Sequence, residues 1–184
     1  MDNLDIPDKN QETQFVLVLS DLYRHMEWAD AAVWKAVLAS EAGRTDAKVR
    51  EYLYHLHMVQ HAFLRLWCNE PREEPYPTFD EASALCNWAR AYHDAALNHL
   101  KTLFDDNSSK AMPVPWAKMI EQRIGRTPES TTVRETALQV ILHSTYHRGQ
   151  INARLREVGG EPPLVDYIAW LWLGRPAPDW SLPS

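Results

Sequence analysis

The chain has 184 residues, of which 45% are hydrophobic and 24% are charged, as expected for one globular domain spanning residues 1–184. Its net charge of −6 argues against general nucleic-acid binding, because a phosphate-binding surface needs an excess of Lys and Arg. No apolar run reaches the roughly 18 residues of a membrane span and the polar N-terminus is unlike a signal peptide, so we expect a cytoplasmic protein without membrane contact.

Four long segments have apolar residues at every third or fourth position, a pattern that predicts four amphipathic helices. Residues 1–11 precede them as a predicted disordered lead-in. The predicted helices span residues 13–40, 47–68 and 80–104, and a fourth helix follows a lead-in at 128–131 and ends near residue 158. Gly43 is the predicted stop signal after the first helix. Asp46 is the predicted N-cap of the second helix, and Ser130 or Thr131 is the predicted N-cap of the fourth.

The connections between these helices are less regular than the helices themselves. Residues 70–80 contain three prolines and are predicted to form a loop that crosses one end of the bundle. Residues 111–128 fit either a two-stranded excursion or an irregular loop. A short helix is predicted at residues 165–173. We therefore expect an all-α fold, a four-helix bundle with a short fifth helix at the C-terminus.

The fourth predicted helix contains two histidines four residues apart, His143 and His147. Positions i and i+4 share one face of a helix, so the two imidazoles can point at a single ion. They lie about 90° and 50° from the centre of the apolar stripe, on a flank that is part buried and part open. His55 of the second helix lies about 80° from the centre of its own stripe and is the best third donor.

Other histidines compete for the same role. His57 and His61 form a second HxxxH pair, but both lie on the polar side of the second helix. We predict that they are solvated or packed against a partner chain. His25 lies about 80° from the stripe of the first helix and is expected to join or line the site. His93 lies on the apolar face of the third helix and is the main competing ligand.

Three neutral imidazoles with an open fourth position form a metal site of the catalytic type. Imidazole is a ligand for Zn, Ni, Cu and Fe(II), so this donor set does not select one metal. A bound ion of this kind lowers the pKa of its water towards about 7 or activates a thiolate. The competing interpretation is that the histidine pair is simply two polar residues on a helix edge.

Three stretches of the sequence resemble the DinB-like (damage-inducible, YfiT-like) superfamily. The last bundle helix of that family carries HxxxHRGQ and is similar to HSTYHRGQINARLREVGGEPPLVDY. Its first helix has a Trp-Ala-Asn motif and is similar to LYRHMEWADAAVWKAV, in which the third motif position is Asp30. Its second helix is similar to HLHMVQHAFLRLW, and aligning Phe63 with the family's usual tryptophan places the ligand histidine at His55, not His57. The resemblance covers residues 17–166.

The resemblance implies a four-helix bundle, often a homodimer, with a divalent metal at His55, His143 and His147. The expected metals are Zn, Ni and Fe. It also implies a metal-dependent hydrolase or thiol S-transferase that acts on a small-molecule substrate and uses a low-molecular-weight thiol. The alternative is a non-catalytic binding or scaffold protein, induced by stress or DNA damage, whose bundle persists without catalysis.

Two side chains near the histidine pair are candidate catalytic residues, Gln150 and His25. Gln150 lies one turn beyond His147, where it can orient a ligand or a bound water. Arg148 is expected to pair with an acidic neighbour. Gly149 costs about 1 kcal/mol in a helix relative to alanine and is expected to serve helix packing.

The remaining residues of interest receive structural interpretations. Asp166 is expected to cap the fifth helix or to reach Arg148. Trp28 and Asp30 are expected to make packing and capping contacts. The wall of the substrate pocket is expected to include residues 105–128.

Overall fold

The computed structural model describes residues 9–71, 75–106, 110–114 and 116–181. Within these ranges the helices are α1 Lys9–Ala39, α2 Glu41–Thr45, α3 Ala47–Trp67, α4 Ala82–Asp106, α5 Ala117–Ile124, α6 Val133–Glu157 and α7 Tyr167–Trp172, and the strands are β1 Ala111–Met112 and β2 Thr131–Thr132. The four long helices, α1, α3, α4 and α6, form the expected bundle. None of the described helices is both long and apolar enough to cross a membrane.

The first and last helices differ slightly from their predicted ranges. Residues 1–8 of the predicted disordered lead-in lie outside the described residues, whereas residues 9–11 belong to the first turn of α1. The predicted fifth helix is the seventh, α7, and it is shorter than predicted at both ends. The all-α prediction is confirmed, with α2 and α5 as two additional short helices.

Helices α3 and α6 run antiparallel and pack along most of their lengths. The indole Nε1–H of Trp67, at the end of α3, donates to Thr136 Oγ1 near the start of α6 at 2.9 Å. Two turns earlier in α3, Gln60 Nε2 donates to Ser144 Oγ, two turns later in α6, at 3.1 Å. This pairing brings the first half of α3 beside the second half of α6.

The connection between α3 and α4 runs along the length of the bundle. Arg50, in the first turn of α3, donates to the backbone oxygens of Phe79 and Asp80 at 2.8 and 2.7 Å. Because those oxygens immediately precede α4, both helices begin at the same end of the bundle. The two helices are therefore parallel, and the prediction that the proline-containing connection crosses one end of the bundle is wrong, because it runs from one end to the other.

Capping side chains set where the two site-bearing helices begin. Asp46 Oδ1 accepts from two backbone N–H groups of the first turn of α3, which confirms Asp46 as its N-cap. The predicted caps of α6, Ser130 and Thr131, are wrong. The N-cap is Thr132, which forms a capping box with Glu135. Thr131 instead lies in the extended backbone of β2.

Gly43 is not the end of a helix, as predicted, but the centre of the short helix α2. A Cβ at this position would lie 2.9 Å from both Leu155 Cδ1 and the backbone oxygen of Val37. Glycine therefore lets α2 pass closely over the ends of α1 and α6. The predicted end of α6 near residue 158 is confirmed, and Gly159, with a left-handed φ of 84°, follows it as a glycine stop.

The segment at residues 111–128 contains both a strand and a helix. β1 pairs with β2 in antiparallel register, Ala111 opposite Thr132, so a two-stranded excursion exists but its second strand lies beyond residue 128. The helix α5 was not predicted. It begins after Trp116, whose φ is 55°, and ends at Gly125. With 8 residues, α5 is shorter than the window of about 11 residues over which a helical apolar period can be recognised.

The core consists of two apolar clusters with a polar layer between them. One cluster includes Tyr23, Phe63 and Trp67, and the other includes Trp34 and Leu155. The buried polar side chains that lie between them along the bundle are Asp30, His57, Gln60, His93, Ser144 and Arg148. Such a layer is stable only if its members satisfy one another.

Candidate metal centre

Three imidazoles from two antiparallel helices meet on one side of the bundle. α3 contributes His55, and α6 contributes His143 and His147. One nitrogen from each ring lies within 4.8 Å of the other two, and all three residues are half-buried. The ring centroids are 4.3 to 5.2 Å apart. These three side chains, here called the histidine triad, are the cluster with ligand geometry among the described residues.

The spacing within the histidine triad suits a shared ion. The Nε2 atoms of His143 and His147 are 3.1 Å apart. Two nitrogens that each lie about 2.0–2.1 Å from a tetrahedral zinc are separated by roughly 3.4 Å. The pair therefore stands close to the separation that a tetrahedral ion requires, and His55 approaches from the opposite helix.

The histidines of the triad are neutral at physiological pH. Burial lowers the pKa of His143 to about 4, and the neighbouring His147 and His55 contribute to that lowering. Burial also lowers the pKa of His55. The pKa of His147 is lowered by burial and then by His55. Neutral imidazoles have a free lone pair, which is the form that binds metal ions.

Hydrogen bonding within the histidine triad is incomplete. The Nδ1 atoms of His143 and His147 are buried and have no hydrogen-bond partner among the described residues. A ring that accepts a hydrogen bond at Nε2 carries its proton on Nδ1, so at least one buried N–H has no acceptor. Gln150 Oε1, one turn after His147, is also buried and unpaired and is the acceptor available there. The donor set therefore fits a metal ion better than a self-contained hydrogen-bonded cluster.

The candidate catalytic residue His25 is not part of the histidine triad. Its Nε2–H donates to the backbone oxygen of Val165 at 2.9 Å. Its ring packs among Trp28, Tyr167 and Trp170, with centroid distances of 5.3 to 5.9 Å. Trp28 has the packing role that was predicted, and a catalytic role for His25 stays a prediction.

The prediction that His57 and His61 are solvated or face a partner chain is wrong for His57, which is only 1% exposed. His61 is half-buried and stacks on Trp88 with ring centroids 4.1 Å apart. The helical wheel failed here because neighbouring helices cover α3 on several sides: His57 meets Trp34 of α1, and His61 meets Trp88 of α4. A residue that points away from α6 still faces protein. His93 is buried, as its apolar face predicted, but it contacts Asp30 and not the triad.

A buried carboxylate, Asp30 of α1, lies at the centre of the polar layer. Its Oδ1 accepts from Arg148 Nη1 at 2.8 Å. Its Oδ2 accepts from Gln60 Nε2 at 2.9 Å and from His93 Nε2 at 3.0 Å. Burial alone would raise the pKa of Asp30, but Arg148 and His93 hold it well below the usual value. Arg148 thus has the acidic partner that was predicted, whereas Asp30, in mid-helix, is not a cap.

Hydrogen bonds extend this layer through α3 and fix the orientation of His57. Trp34 Nε1–H donates to His57 Nε2 at 2.8 Å, so the proton of the neutral ring lies on Nδ1. That Nδ1–H donates to Gln60 Oε1 at 2.7 Å. The Gln60 amide in turn donates to Asp30 and to Ser144 Oγ. Every polar group in this series therefore has a partner of the correct type.

The polar layer holds in place the helical turns that carry the histidine triad. Ser144 and Arg148 follow His143 and His147 by one residue each, so both α6 turns are tied to Asp30 or Gln60 on neighbouring helices. An acidic partner for Arg148 was predicted, but neither its identity as Asp30 nor the contact of Ser144 with Gln60 was. The sequence signal for these contacts is a second polar pair at i, i+4 spacing, Ser144 and Arg148, each one position after a histidine of the triad.

Two other motif residues have different roles from those predicted. Gly149 is exposed, and a Cβ at this position would meet nothing within 4 Å, so the packing interpretation is wrong. Asp166 occupies the N-cap position of α7 but its side chain makes no capping hydrogen bond. Asp166 also does not pair with Arg148, because Asp30 takes that place.

We expect the free energy of unfolding to fall as the pH is lowered from about 6.5 to about 4. Burial lowers the pKa of His57 to about 4, although Asp30 opposes this. In this pH window the unfolded chain binds a proton at residue 57 that the folded protein excludes, at up to about 1.4 kcal/mol per pH unit. Urea unfolding at several pH values in this range gives the slope of the free energy of unfolding against pH. That slope should correspond to up to one proton fewer in His57→Gln than in the wild type. Equal slopes in the two proteins would contradict the assignment.

A cleft of about 620 Å³ opens beside the histidine triad, between α3, α6 and the segment that precedes α6. His55 and His143 both line it. Trp116 and Met119 line it as well, so the segment at residues 105–128 contributes to the pocket wall as predicted. Any ion held by the triad would therefore face a ligand-sized cavity.

The sequence model described as the DinB family matches residues 10–177 of the chain. The match extends over both α3 and α6, the helices that carry the histidine triad. A search of curated proteins found no match. Since the matched region covers nearly the whole sequence, the chain belongs to the DinB family.

Proposed function

We propose that this protein is a metal-dependent S-transferase, in which His55, His143 and His147 hold a divalent ion such as Zn, Ni or Fe. The enzyme joins a low-molecular-weight thiol to a small-molecule substrate. The observation that carries the proposal is the convergence of three neutral imidazoles at the edge of a ligand-sized cleft. A merely structural site would be closed by a fourth protein ligand, and the described residues supply three.

A divalent ion bound by three imidazoles supplies an open position at which a thiol or a water loses its proton near pH 7. The protein contributes position and exclusion of solvent. His55 fixes the site from α3, and the histidine pair fixes it from α6. Gln150, whose buried Oε1 has no other partner, would accept the Nδ1–H of His147 and so hold that ring in one orientation.

The test is a thiol-conjugation assay on metal-loaded protein. Cysteine, glutathione and coenzyme A are each offered with chlorodinitrobenzene, and product is followed by absorbance. The carbon–sulfur bond forms as chloride leaves with its electron pair and the thiol proton passes to solvent. We expect a rate above background that a chelator abolishes and that added metal restores.

Two results would replace this proposal with one of the alternatives. Metal-dependent hydrolysis of p-nitrophenyl acetate without thiol conjugation would assign the site to a hydrolase. A protein that binds no metal would instead fit the non-catalytic scaffold. The homodimer and the cytoplasmic location stay predictions.

A further inference from the structure

The cleft beside the histidine triad is elongated and runs along α3. On α3 it is lined by His55, Val59 and Phe63, which are spaced four residues apart and so share one face. Eight residues of helix correspond to about 12 Å, so the cleft extends roughly that far from the histidine triad. The α3 side of the cleft becomes entirely apolar beyond His55.

The facing side of the cleft is formed by α6, which runs antiparallel to α3. His143, Gln139 and Glu135 line it, again at intervals of four residues. Because α3 and α6 are antiparallel, Glu135 lies at the Phe63 end of the cleft. Hydrogen bonds from the backbone and side chain of Thr132 lower the pKa of Glu135. The end of the cleft remote from the histidine triad therefore carries the Glu135 carboxylate, and Glu129 and Arg123 also line the cleft.

The outer wall of the cleft is mostly apolar, with Arg123 of α5 as its charged residue, and it is incompletely packed. Met119 of α5 lines the cleft and is 47% exposed. Ile120 lines it as well, and the Trp116 ring meets Phe63 edge-on with centroids 6.5 Å apart. Trp116 also has a left-handed backbone, which is uncommon for a bulky residue and occurs at ligand-binding sites. Apolar groups that face a cavity without filling it gain contacts when an apolar ligand enters.

We propose that this cleft binds an elongated, apolar small molecule whose metal-coordinating head reaches the histidine triad. The body is an uncharged alkyl or aryl chain up to about 12 Å long, which lies between the Val59–Phe63 face and α5. The proposal rests on the proposed function in one respect, namely that the head of the ligand binds the ion.

A series of alkyl hydroxamates tests the proposal on zinc-loaded protein. Aceto-, butano-, hexano- and octanohydroxamate share one metal-binding head and differ only in chain length. Burial of each added methylene is expected to tighten binding by about fourfold. Calorimetric titration should therefore give octanohydroxamate an affinity at least about a hundredfold higher than that of acetohydroxamate. Equal affinities across the series would overturn the proposal.

Two matched variants of α5 test whether the alkyl chain of the hydroxamate lies in the cleft. Met119 lines the cleft and Ile124 does not, although they have similar exposure, 47% and 51%. We expect Met119→Gln to weaken octanohydroxamate severalfold and to leave acetohydroxamate unchanged. Ile124→Gln should change neither. An equal effect of both variants, or of neither, would show that the chain lies elsewhere.

Metal-free protein separates failure of this proposal from failure of the proposed function. Octanohydroxamate should still bind the metal-free protein, more weakly, and Met119→Gln should weaken it further. If the protein proves unable to bind zinc, the proposed function fails and this arm alone decides. Weak, Met119-dependent binding then supports the apolar cleft, and no binding overturns it.

Discussion

Replacing His55 with alanine is expected to lower the affinity for zinc by more than about a hundredfold, since loss of a direct ligand costs more than the 10–100-fold typical of residues that only support one. The matched control is His61→Ala. It removes the same side chain from the same helix, but His61 stacks on Trp88 outside the triad. We expect that variant to bind zinc as the wild type does.

Competition with a chromogenic chelator measures these affinities directly, and unfolding provides a second readout. Zinc at a hundred times its dissociation constant should raise the free energy of unfolding of the wild type by about 2.7 kcal/mol. His61→Ala should show a similar increment and His55→Ala should show none at the same zinc concentration. Equal zinc affinities in His55→Ala and the wild type would remove the histidine triad from consideration as a metal site.

Replacing Asp30 with alanine is expected to lower the free energy of unfolding by about 3–5 kcal/mol. The substitution removes the acceptor of Arg148, Gln60 and His93 at once. Arg148 is 2% exposed, so its guanidinium would be left as a buried charge without a counter-charge. Arg148 joins the α6 turn that carries His147 to Asp30 of α1. Loss of this contact should therefore lower the zinc affinity as well.

A double-mutant cycle distinguishes this pairing from general disruption of the core. Arg148→Met removes the buried cation, so the double variant should be less destabilised than the sum of the two single variants. Asp21→Ala is the control. Asp21 pairs with Arg24 and Arg175 near the surface, and its loss should change stability by less than about 0.5 kcal/mol. Additive losses for Asp30 and Arg148 would contradict the network.

The long helices could be predicted from sequence because their apolar positions follow the helical period over many turns. Asp46 could be identified as an N-cap because a side chain and the two N–H groups it accepts from are neighbours in sequence. The short helix α5 could not be predicted, because its 8 residues are too few to establish a helical period. Its cap, Trp116 with a left-handed backbone, has no sequence signature.

The histidine triad was accessible to sequence reasoning for a similar reason. Two of its members are one helical turn apart, and His55 lies at the flank of the stripe on its own helix. The role of His57 was not accessible, because its partners are Trp34 and Gln60, one of them on another helix. A helical wheel records one helix, whereas burial of a polar residue depends on what the neighbouring helices offer it. The contact of Asp30 with Arg148, 118 residues away, has the same origin.

X-ray absorption at the zinc edge, measured on protein loaded with one zinc per chain, identifies the atoms that the histidine triad contributes to the metal site. We expect three imidazole nitrogens at about 2.0–2.1 Å and one oxygen ligand from solvent, with loss of one imidazole in His143→Ala. A shell that contains sulfur at about 2.3 Å, or one that His143→Ala leaves unchanged, would contradict this expectation.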